Sequence, residues 1–459
     1  MPAKPAPATT TSARYVCVTA GSPAPRPAYP PRERAPRGGR DRRGAPRFRW
    51  RPPSPEPRLK AARRGYAVSF VLSAGHAEGA AGEALGRGAA EEARRGFDGS
   101  PRLGVVFATS QTDLSALVRG AQQVLGGDLP LIGCSTAGEF TGERVSAGGV
   151  ALALLGGEGV DVAVGLADGL RKNTPRAVAT LSRALRSNRP SPVGEEGHRT
   201  AFLLCDGLAG NGEGLVDELA VELGGNVAIA GGAAGDDAAF QQTKVFLGDR
   251  ILEDAVVAAE VTSPQRIGIG VNHGWCAASA PGTVTAAEGG RLIAIDDRPA
   301  IRFYEDYAAA RGIELTPENR NQFVFTHELG IVLMNNELKV RAPLSVNDDG
   351  SINCATEVPV GQQVRIVVGD HDVIVAAAKT AALNAVGDLG GRRPAGAIVF
   401  DCVARKMVLG DGFRREVDAF RDVIQAPLVG FNTYGEIARV RGQLSGFHNT
   451  TAVVAVFPS

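Results

Sequence analysis

Three stretches of the chain share one pattern of apolar and polar positions: an apolar run, then small residues, then glycine and a carboxylate. Each stretch follows an earlier apolar run, and positions with helical spacing fill the gap between the two. Because a parallel strand that is buried on both faces reads as continuous valine, isoleucine and leucine, the pattern predicts one β–α–β–turn unit used three times. The turn stretches are residues 130–140, 228–236 and 427–437, and the earlier runs are residues 105–107, 201–204 and 397–400.

The segments between these units add antiparallel strands and helices. Alternating apolar positions predict paired strands, and alanine-rich stretches with helical spacing predict helices. The sequence therefore predicts a mixed α/β fold of two related domains, with repeated β–α–β–turn units and a substantial antiparallel share. We expect these domains at residues 66–298 and 299–459. The predicted strands include residues 149–155, 160–165, 255–261, 267–271 and 451–457, and the predicted helices include residues 83–95, 114–125, 300–310 and 372–387.

The three turns are the places where chemistry could gather, because ligands of open α/β sheets bind beyond the carboxyl ends of the strands. Glycine and other small residues there let the backbone approach a ligand closely. The alternative is tight packing of strand on helix, with the carboxylate capping the helix. The candidate ligand-binding residues are Cys134, Ser135, Thr136, Gly138, Glu139, Asp206, Gly207, Gly235, Asp236, Thr433, Tyr434, Gly435, Glu436, His448 and Asn449.

Each candidate keeps a structural alternative. Glu139 and Glu436 could bind the ammonium group of a ligand, or they could cap the next helix or pair with an arginine. Threonine hydroxyls in turns commonly bond their own backbone. Tyr434 could pack against a ligand or in the core. His448 could act as a base, as a donor to a ligand or as a structural hydrogen-bonding group.

Cys134 supports a different hypothesis, in which it is a nucleophile on a tight turn after a strand. It would need a histidine within hydrogen-bonding reach, and His448 is the best candidate. This alternative makes the protein a cysteine-dependent hydrolase or transferase. The structural interpretation is a small buried cysteine, and we assign no catalytic residue. No cofactor or metal is predicted, because His273 and the pair His327-Glu328 have no second ligand at helical spacing.

Charge divides the chain into two unequal parts. Residues 1–65 hold 16 of the 50 lysines and arginines, 3 of the 49 acidic residues and 14 of the 28 prolines. Such a segment cannot bury enough apolar surface to offset its ordering entropy, so we expect it to be disordered. It could be an inert arm, the result of an incorrectly assigned start codon, or a basic arm that contacts nucleic acid or an anionic membrane; its proline content argues against a transit peptide. The acidic remainder argues against nucleic acid as the main partner.

Cysteine usage and hydropathy suggest the compartment. The six cysteines are widely spread and none forms a Cys-x-x-Cys pair, which is typical of free thiols in a reducing cytoplasm. No apolar stretch is long enough to span a membrane, and the start of the chain does not have the pattern of a signal peptide. We therefore expect a cytoplasmic protein without a membrane span.

The turn motifs resemble those of the FIST family, a sensory module with an N-terminal and a C-terminal part. The C-terminal resemblance is the more specific, because it includes both the last turn and the segment before the last strand. Together the two resemblances cover roughly residues 66–459. The N-terminal resemblance rests on residues 133–139, 206–208 and 231–236, and the C-terminal one on residues 358–362, 397–402, 430–437 and 447–451.

The resemblance implies a function in intracellular signal transduction. FIST modules are thought to bind small ligands, amino acids among the candidates, and are commonly fused to kinase, cyclase or chemotaxis modules. No such module is evident in this sequence, so the resemblance implies a separate signalling protein of one of these kinds as partner. We expect reversible binding of a small polar metabolite, with the Cys134 enzyme as the alternative.

Overall fold

A computed structural model of the chain describes residues 69–79, 82–188, 197–334, 336–440 and 446–459. Residues Tyr66–Ser459 form one compact unit. The predicted disorder of residues 1–65 lies outside the described residues. The fold is mixed α/β, as the sequence predicts, and the β–α–β–turn unit occurs three times.

Unit 1 begins with a strand–helix–strand–helix–strand succession and then forms a hairpin. Helix α2 starts where the Asp113 carboxylate accepts a hydrogen bond from the Ser115 N–H at 2.9 Å, and it ends at Gly126. A last antiparallel strand closes the unit. Its elements are β1 (Phe70–Ala77), α1 (Gly82–Arg95), β2 (Pro101–Thr109), α2 (Leu114–Leu125), β3 (Leu131–Thr136), β4 (Glu139–Thr141), β5 (Val145–Ser146) and β6 (Val150–Gly157).

Unit 2 repeats the same succession. Its first helix is kinked at Asn173, two residues before Pro175, because proline cannot continue the hydrogen-bond ladder of the preceding turn. The elements are β7 (Asp161–Asp168), α3 (Leu170–Asn188), β8 (His198–Cys205), α4 (Gly212–Leu223), β9 (Val227–Ala233), β10 (Val245–Leu247), β11 (Arg250–Leu252) and β12 (Ala255–Ser263).

Unit 3 is interrupted after its first strand, β13 (Gly268–Asn272), by an insert that forms its own sheet with two helices. The insert contains β14 (Cys276–Ala277), β15 (Gly282–Glu288), β16 (Arg291–Ile295), β17 (Arg298–Pro299), α5 (Ala300–Ala309), α6 (Arg320–Thr326), β18 (Glu328–Val332), β19 (Leu338–Arg341), β20 (Pro343–Val346), β21 (Ile352–Cys354) and β22 (Gln363–Val368). Unit 3 then resumes with α7 (His371–Gly387), β23 (Pro394–Cys402), α8 (Val403–Leu409), a short 3₁₀ helix (Gly410–Gly412), α9 (Phe413–Ile424), β24 (Leu428–Thr433), β25 (Glu436–Arg439), β26 (Gly446–His448) and β27 (Ala452–Pro458).

The three units exchange hairpins in a cycle, so each contributes to two sheets. In every sheet a parallel pair of strands from one unit is extended by a hairpin from another. Unit 1 gives its hairpin to the sheet of unit 3, unit 3 gives its hairpin to unit 2, and unit 2 gives its hairpin to unit 1. The strand orders are β1-β6-β2-β3-β10-β11, β7-β12-β8-β9-β25-β26 and β13-β27-β23-β24-β4-β5.

The central core joins apolar side chains from all three units, with several phenylalanine rings among them. The Phe107 ring of unit 1 lies 4.4 Å from the ring of Phe431 in unit 3, measured between centroids. The Phe202 ring of unit 2 stacks on Phe457 of unit 3 at 5.5 Å. Burying such rings stabilises the fold by roughly 1.5–3 kcal/mol each. The exchanged hairpins and this shared core connect residues on both sides of the predicted domain boundary at residues 298–299. That boundary stays a prediction.

Candidate functional site

The three turns meet in space, as the repeated pattern predicts. The first turn bonds to both of the others: the Ala137 N–H donates to the carbonyl of Asn432 at 3.0 Å, and the Gly235 N–H donates to the carbonyl of Ser135 at 3.0 Å. Glycine is required at position 235, because a Cβ there would lie 2.7 Å from the Ala137 nitrogen. The turns therefore form one hydrogen-bonded hub.

Both carboxylate oxygens of Glu139 accept hydrogen bonds, one from the first turn and the other from residues 146–149. Oε2 accepts a hydrogen bond from the Thr136 hydroxyl at 3.0 Å, while Oε1 accepts from the Ser146 hydroxyl at 2.8 Å and the Gly149 N–H at 2.6 Å. Burial raises the pKa of this carboxyl, and these hydrogen bonds oppose the shift. Glu139 begins strand β4 and so caps no helix, and its oxygens accept from hydroxyl and amide groups in place of an arginine.

Glu436 repeats this arrangement in the third turn. Its Oε1 accepts a hydrogen bond from the Thr433 hydroxyl, and its Oε2 accepts one from the Thr451 N–H at 3.0 Å. The side chain is fully buried, and burial raises the pKa of Glu436 to about 8. The Thr-x-x-Glu spacing in both turns thus fixes a hairpin, since Glu436 begins strand β25.

Two aspartates of unit 2, Asp206 and Asp236, organise loops. Asp206 Oδ2 accepts a hydrogen bond from the Asp254 N–H at 2.6 Å, and its Oδ1 accepts one from the Leu208 N–H at 2.8 Å. Asp236 accepts hydrogen bonds from the backbone of the loop that follows it and from the Tyr434 hydroxyl. These bonds lower the pKa of Asp236 against the opposing effect of burial. Asp236 therefore holds the loop after the second turn in shape, and Asp206 holds the loop after β8.

His448 and Asn449 lie under the insert. Burial lowers the pKa of His448 well below its usual value, so the ring is neutral, and the cations Lys339 and Arg341 add to the shift. The Asn449 Oδ1 accepts a hydrogen bond from the Ala342 N–H at 3.4 Å and so ties the insert to unit 3. Its ring nitrogen Nε2 is buried and has no hydrogen-bond partner among the described residues, so the role of His448 stays a prediction.

Cys134 is not placed to act as a nucleophile. The side chain is fully buried in the central core, and burial raises the pKa of its thiol well above the usual value, with Cys205 as a second cause. A nucleophilic cysteine needs the opposite shift and access to substrate. Both observations argue against the hypothesis that pairs Cys134 with His448, which stays a prediction. Of the cysteines, Cys134, Cys205, Cys354 and Cys402 are free and buried.

A pocket of about 360 Å³ lies where strand β8 ends and helix α4 begins. This is the sheet edge at which the sequence predicts a ligand, and the volume falls in the range of small-molecule sites. Asp206 and Gly207 form one wall and Tyr434 another. A Cβ at position 207 would lie 2.0 Å from the Ala234 carbonyl oxygen, so only glycine fits. The remaining lining residues are Leu170, Cys205, Gly210, Asn211, Gly212, Leu215, Gly289, Gly290, Cys354, Ala355, Thr356, Glu357 and Phe447.

The pocket contains three of the predicted residues, Asp206, Gly207 and Tyr434. Ser135 lines a separate pocket of about 130 Å³ in unit 1. The remaining candidates support the hub or its surroundings, and their roles as ligand contacts stay predictions. They are Cys134, Thr136, Gly138, Glu139, Gly235, Asp236, Thr433, Gly435, Glu436, His448 and Asn449.

Sequence reasoning missed the part of the pocket that the insert provides. The loop at residues 210–212 could have been found, because its glycines follow a buried strand in the same way as the turns do. The contributions of Gly290, Cys354 and Thr356 carry no comparable local signal, since only tertiary packing brings the insert against unit 2.

Within the described residues, no group of three or more histidines, cysteines and acidic residues could hold a metal ion. None of the described helices is both long and apolar enough to cross a bilayer.

Comparison with known proteins places this geometry in a family. The model of the FIST N domain matches residues 102–298, and the model of the FIST C domain matches residues 300–439. No curated protein matches the chain. FIST domains are associated with sensory signal transduction in general. With both domain models matched over most of its length, the chain belongs to the FIST family.

Proposed function

We propose that the protein is a sensor that binds a small polar metabolite in the pocket at the end of β8 and signals to a separate protein. The observation that carries the proposal is the construction of this pocket, whose walls come from unit 2, the third turn and the insert. Asp206 and Glu357 bring two carboxylates to the lining; Asp206 pairs with Arg171 at 3.5 Å, and we assign Glu357 to a cationic group of the ligand. Amino acids are therefore the first candidates.

Signalling would follow from a shift of population between two arrangements of the walls. A ligand that touches all three walls binds more tightly when they are close together, and it favours that arrangement by the difference in affinity. The partner would be a kinase, a cyclase or a chemotaxis protein that distinguishes the two arrangements. A cytoplasmic location, with no nucleic-acid partner, belongs to the same proposal.

Filling the pocket tests this function. Ala355 lines the pocket and is exposed, so Ala355→Trp adds bulk inside the pocket at little cost to the fold. We expect at least one of the common amino acids to raise the melting temperature of the wild type by a few degrees. A ligand at about 100 times its Kd adds roughly 2.7 kcal/mol of stability. Ala355→Trp should abolish this shift.

The matched control is Ala376→Trp, which adds the same side chain on an exposed position of α7. It should respond to amino acids as the wild type does. If amino acids raise the melting temperature of both tryptophan variants equally, the binding site is not this pocket. If they do not raise the melting temperature of the wild type, the protein is not an amino-acid sensor.

A further inference from the structure

Helix α4 begins at the wall of the pocket, and its first turn is uncapped. Asn211, which precedes the helix, adopts a left-handed conformation with a φ of 51°, and its side chain caps no backbone N–H. The N–H groups of residues 212–214 have no hydrogen-bond partner among the described residues. Such groups point along the helix axis towards its start, and here residues 210–212 line the pocket. The pocket therefore has free backbone donors at one end.

The acidic residue in the first turn of α4 does not cancel this positive end. Glu213 is that residue, and it is absent from the pocket lining. Its carboxylate pairs with two cations of the insert, Lys339 and Arg341, the latter at 3.0 Å. Because these cations offset its charge, the helix macrodipole remains available to attract an anion from the pocket.

A hydroxyl on the wall that the insert provides is a further free donor. Thr356 lines the same pocket and is only 7% exposed. Its hydroxyl forms no hydrogen bond with the described residues and is not sealed from solvent, so it faces the pocket. A buried hydroxyl without a partner costs free energy, and a ligand with an acceptor group would remove that cost.

The residue after Thr356 supplies the opposite charge. Glu357 also lines the pocket, and the proposed function assigns it to the cationic group of the ligand. The Cα atoms of neighbouring residues are about 3.8 Å apart, so groups that bind these two residues can lie close together in one small molecule. An α-amino acid carries its ammonium and its carboxylate on the same carbon atom.

We propose that the start of α4 and the Thr356 hydroxyl bind the α-carboxylate of a free amino acid, while Glu357 binds its α-ammonium. The backbone N–H groups and the hydroxyl are donors, and a carboxylate presents two acceptor oxygens. This inference rests on the proposed function and adds to it that the ligand carries a free α-carboxylate. Amino-acid amides and polyamines are cationic but lack this group, so the pocket discriminates against them.

The first test compares each of the common L-amino acids with its C-terminal amide by titration calorimetry at pH 7. The amide keeps the ammonium group and the side chain and replaces the carboxylate with a neutral group. We expect the tightest-binding amino acid to bind roughly 10- to 100-fold more tightly than its amide, the usual effect of losing a charged hydrogen-bonding partner.

Two variants test the residues. Thr356→Val keeps the shape of the side chain without the hydroxyl, and it should weaken binding of the amino acid roughly 10- to 100-fold while changing binding of the amide little. Asn211→Asp places a negative charge at the start of α4, where it repels the carboxylate of the ligand, so it should also weaken the amino acid and spare the amide.

The matched controls are Thr380→Val and Asn384→Asp, at two exposed positions of α7, which should bind the amino acid as the wild type does. Equal affinities for the amino acid and its amide would overturn the inference, as would unchanged affinity for the amino acid in both Thr356→Val and Asn211→Asp. Binding that Ala355→Trp abolishes would in that case still support the proposed function. If no amino acid binds the wild type, the proposed function fails, and the inference fails with it.

Discussion

Replacing Arg405 with methionine is expected to lower the free energy of unfolding by about 3–5 kcal/mol, the usual cost of removing one partner from a buried ion pair. The Arg405 guanidinium is fully buried, as are its partners Asp401, at 3.0 Å, and Glu416. It also donates to the carbonyls of His273 at 2.6 Å and Ile374 at 3.0 Å. Methionine would leave two buried carboxyls without a cation.

The matched control is Arg415→Met. Arg415 pairs with Asp372 at 2.6 Å on the surface, where both side chains are largely exposed. Such pairs contribute about 0–1 kcal/mol. Denaturant unfolding of the two variants measures the difference. Similar losses in both would show that Arg405 does not hold α7, α8 and α9 together as its contacts indicate.

The second large effect is a change in pH dependence when Glu436 is replaced with glutamine. Burial raises the pKa of this carboxyl from 4.5 to about 8, so the folded state holds the proton more tightly than the unfolded state. The resulting stability is fully present below pH 4.5 and is lost as pH rises through 8. At about 1.4 kcal/mol for each unit of pKa, the wild type should lose on the order of 3–5 kcal/mol from this group.

Glutamine cannot ionise, but its amide can form hydrogen bonds with the Thr433 hydroxyl and the Thr451 N–H in place of the protonated carboxyl. We therefore expect Glu436→Gln to be close to the wild type near pH 4.5 and more stable than it above pH 8. Denaturant unfolding across this range gives the difference curve. A difference that is constant with pH would contradict the protonated state of Glu436.

The repeated β–α–β–turn unit could be predicted from the sequence because its structure constrains which residues can occupy it. Parallel strands buried on both faces require continuous apolar runs, and the hub requires small residues after them. Runs such as residues 397–400 and turns such as residues 430–437 carry both signals. The meeting of the three turns followed from their equivalent positions at strand ends.

The exchange of hairpins could not be predicted. Strand β10 pairs with β3, more than 100 residues earlier, at Val245 and Cys134, and no local pattern specifies which of several free edges a short hairpin joins. The same limit misled the interpretation of the turn carboxylates. Thr-x-x-Glu before an apolar run is also the pattern of a capped helix, and tertiary pairing makes it the start of a strand at Glu139 and Glu436.

Part of the pocket lining was predictable from the sequence. Asp206, Gly207 and Tyr434 follow buried strands, where the sequence predicts a ligand. Glu328 did not stand out, because an acidic residue at the end of a short helix is normally exposed. Its burial depends on the packing of the insert against unit 3. Sequence spacing tested it only as a metal ligand, and its full burial is visible only in three dimensions.

The most direct test of the central claim is the electron density of crystals grown with a mixture of the common amino acids. The account predicts density for one compound in the pocket bounded by Asp206, Tyr434 and Thr356. A pocket that holds only ordered water, or a compound bound at a different place on the protein, would contradict the account.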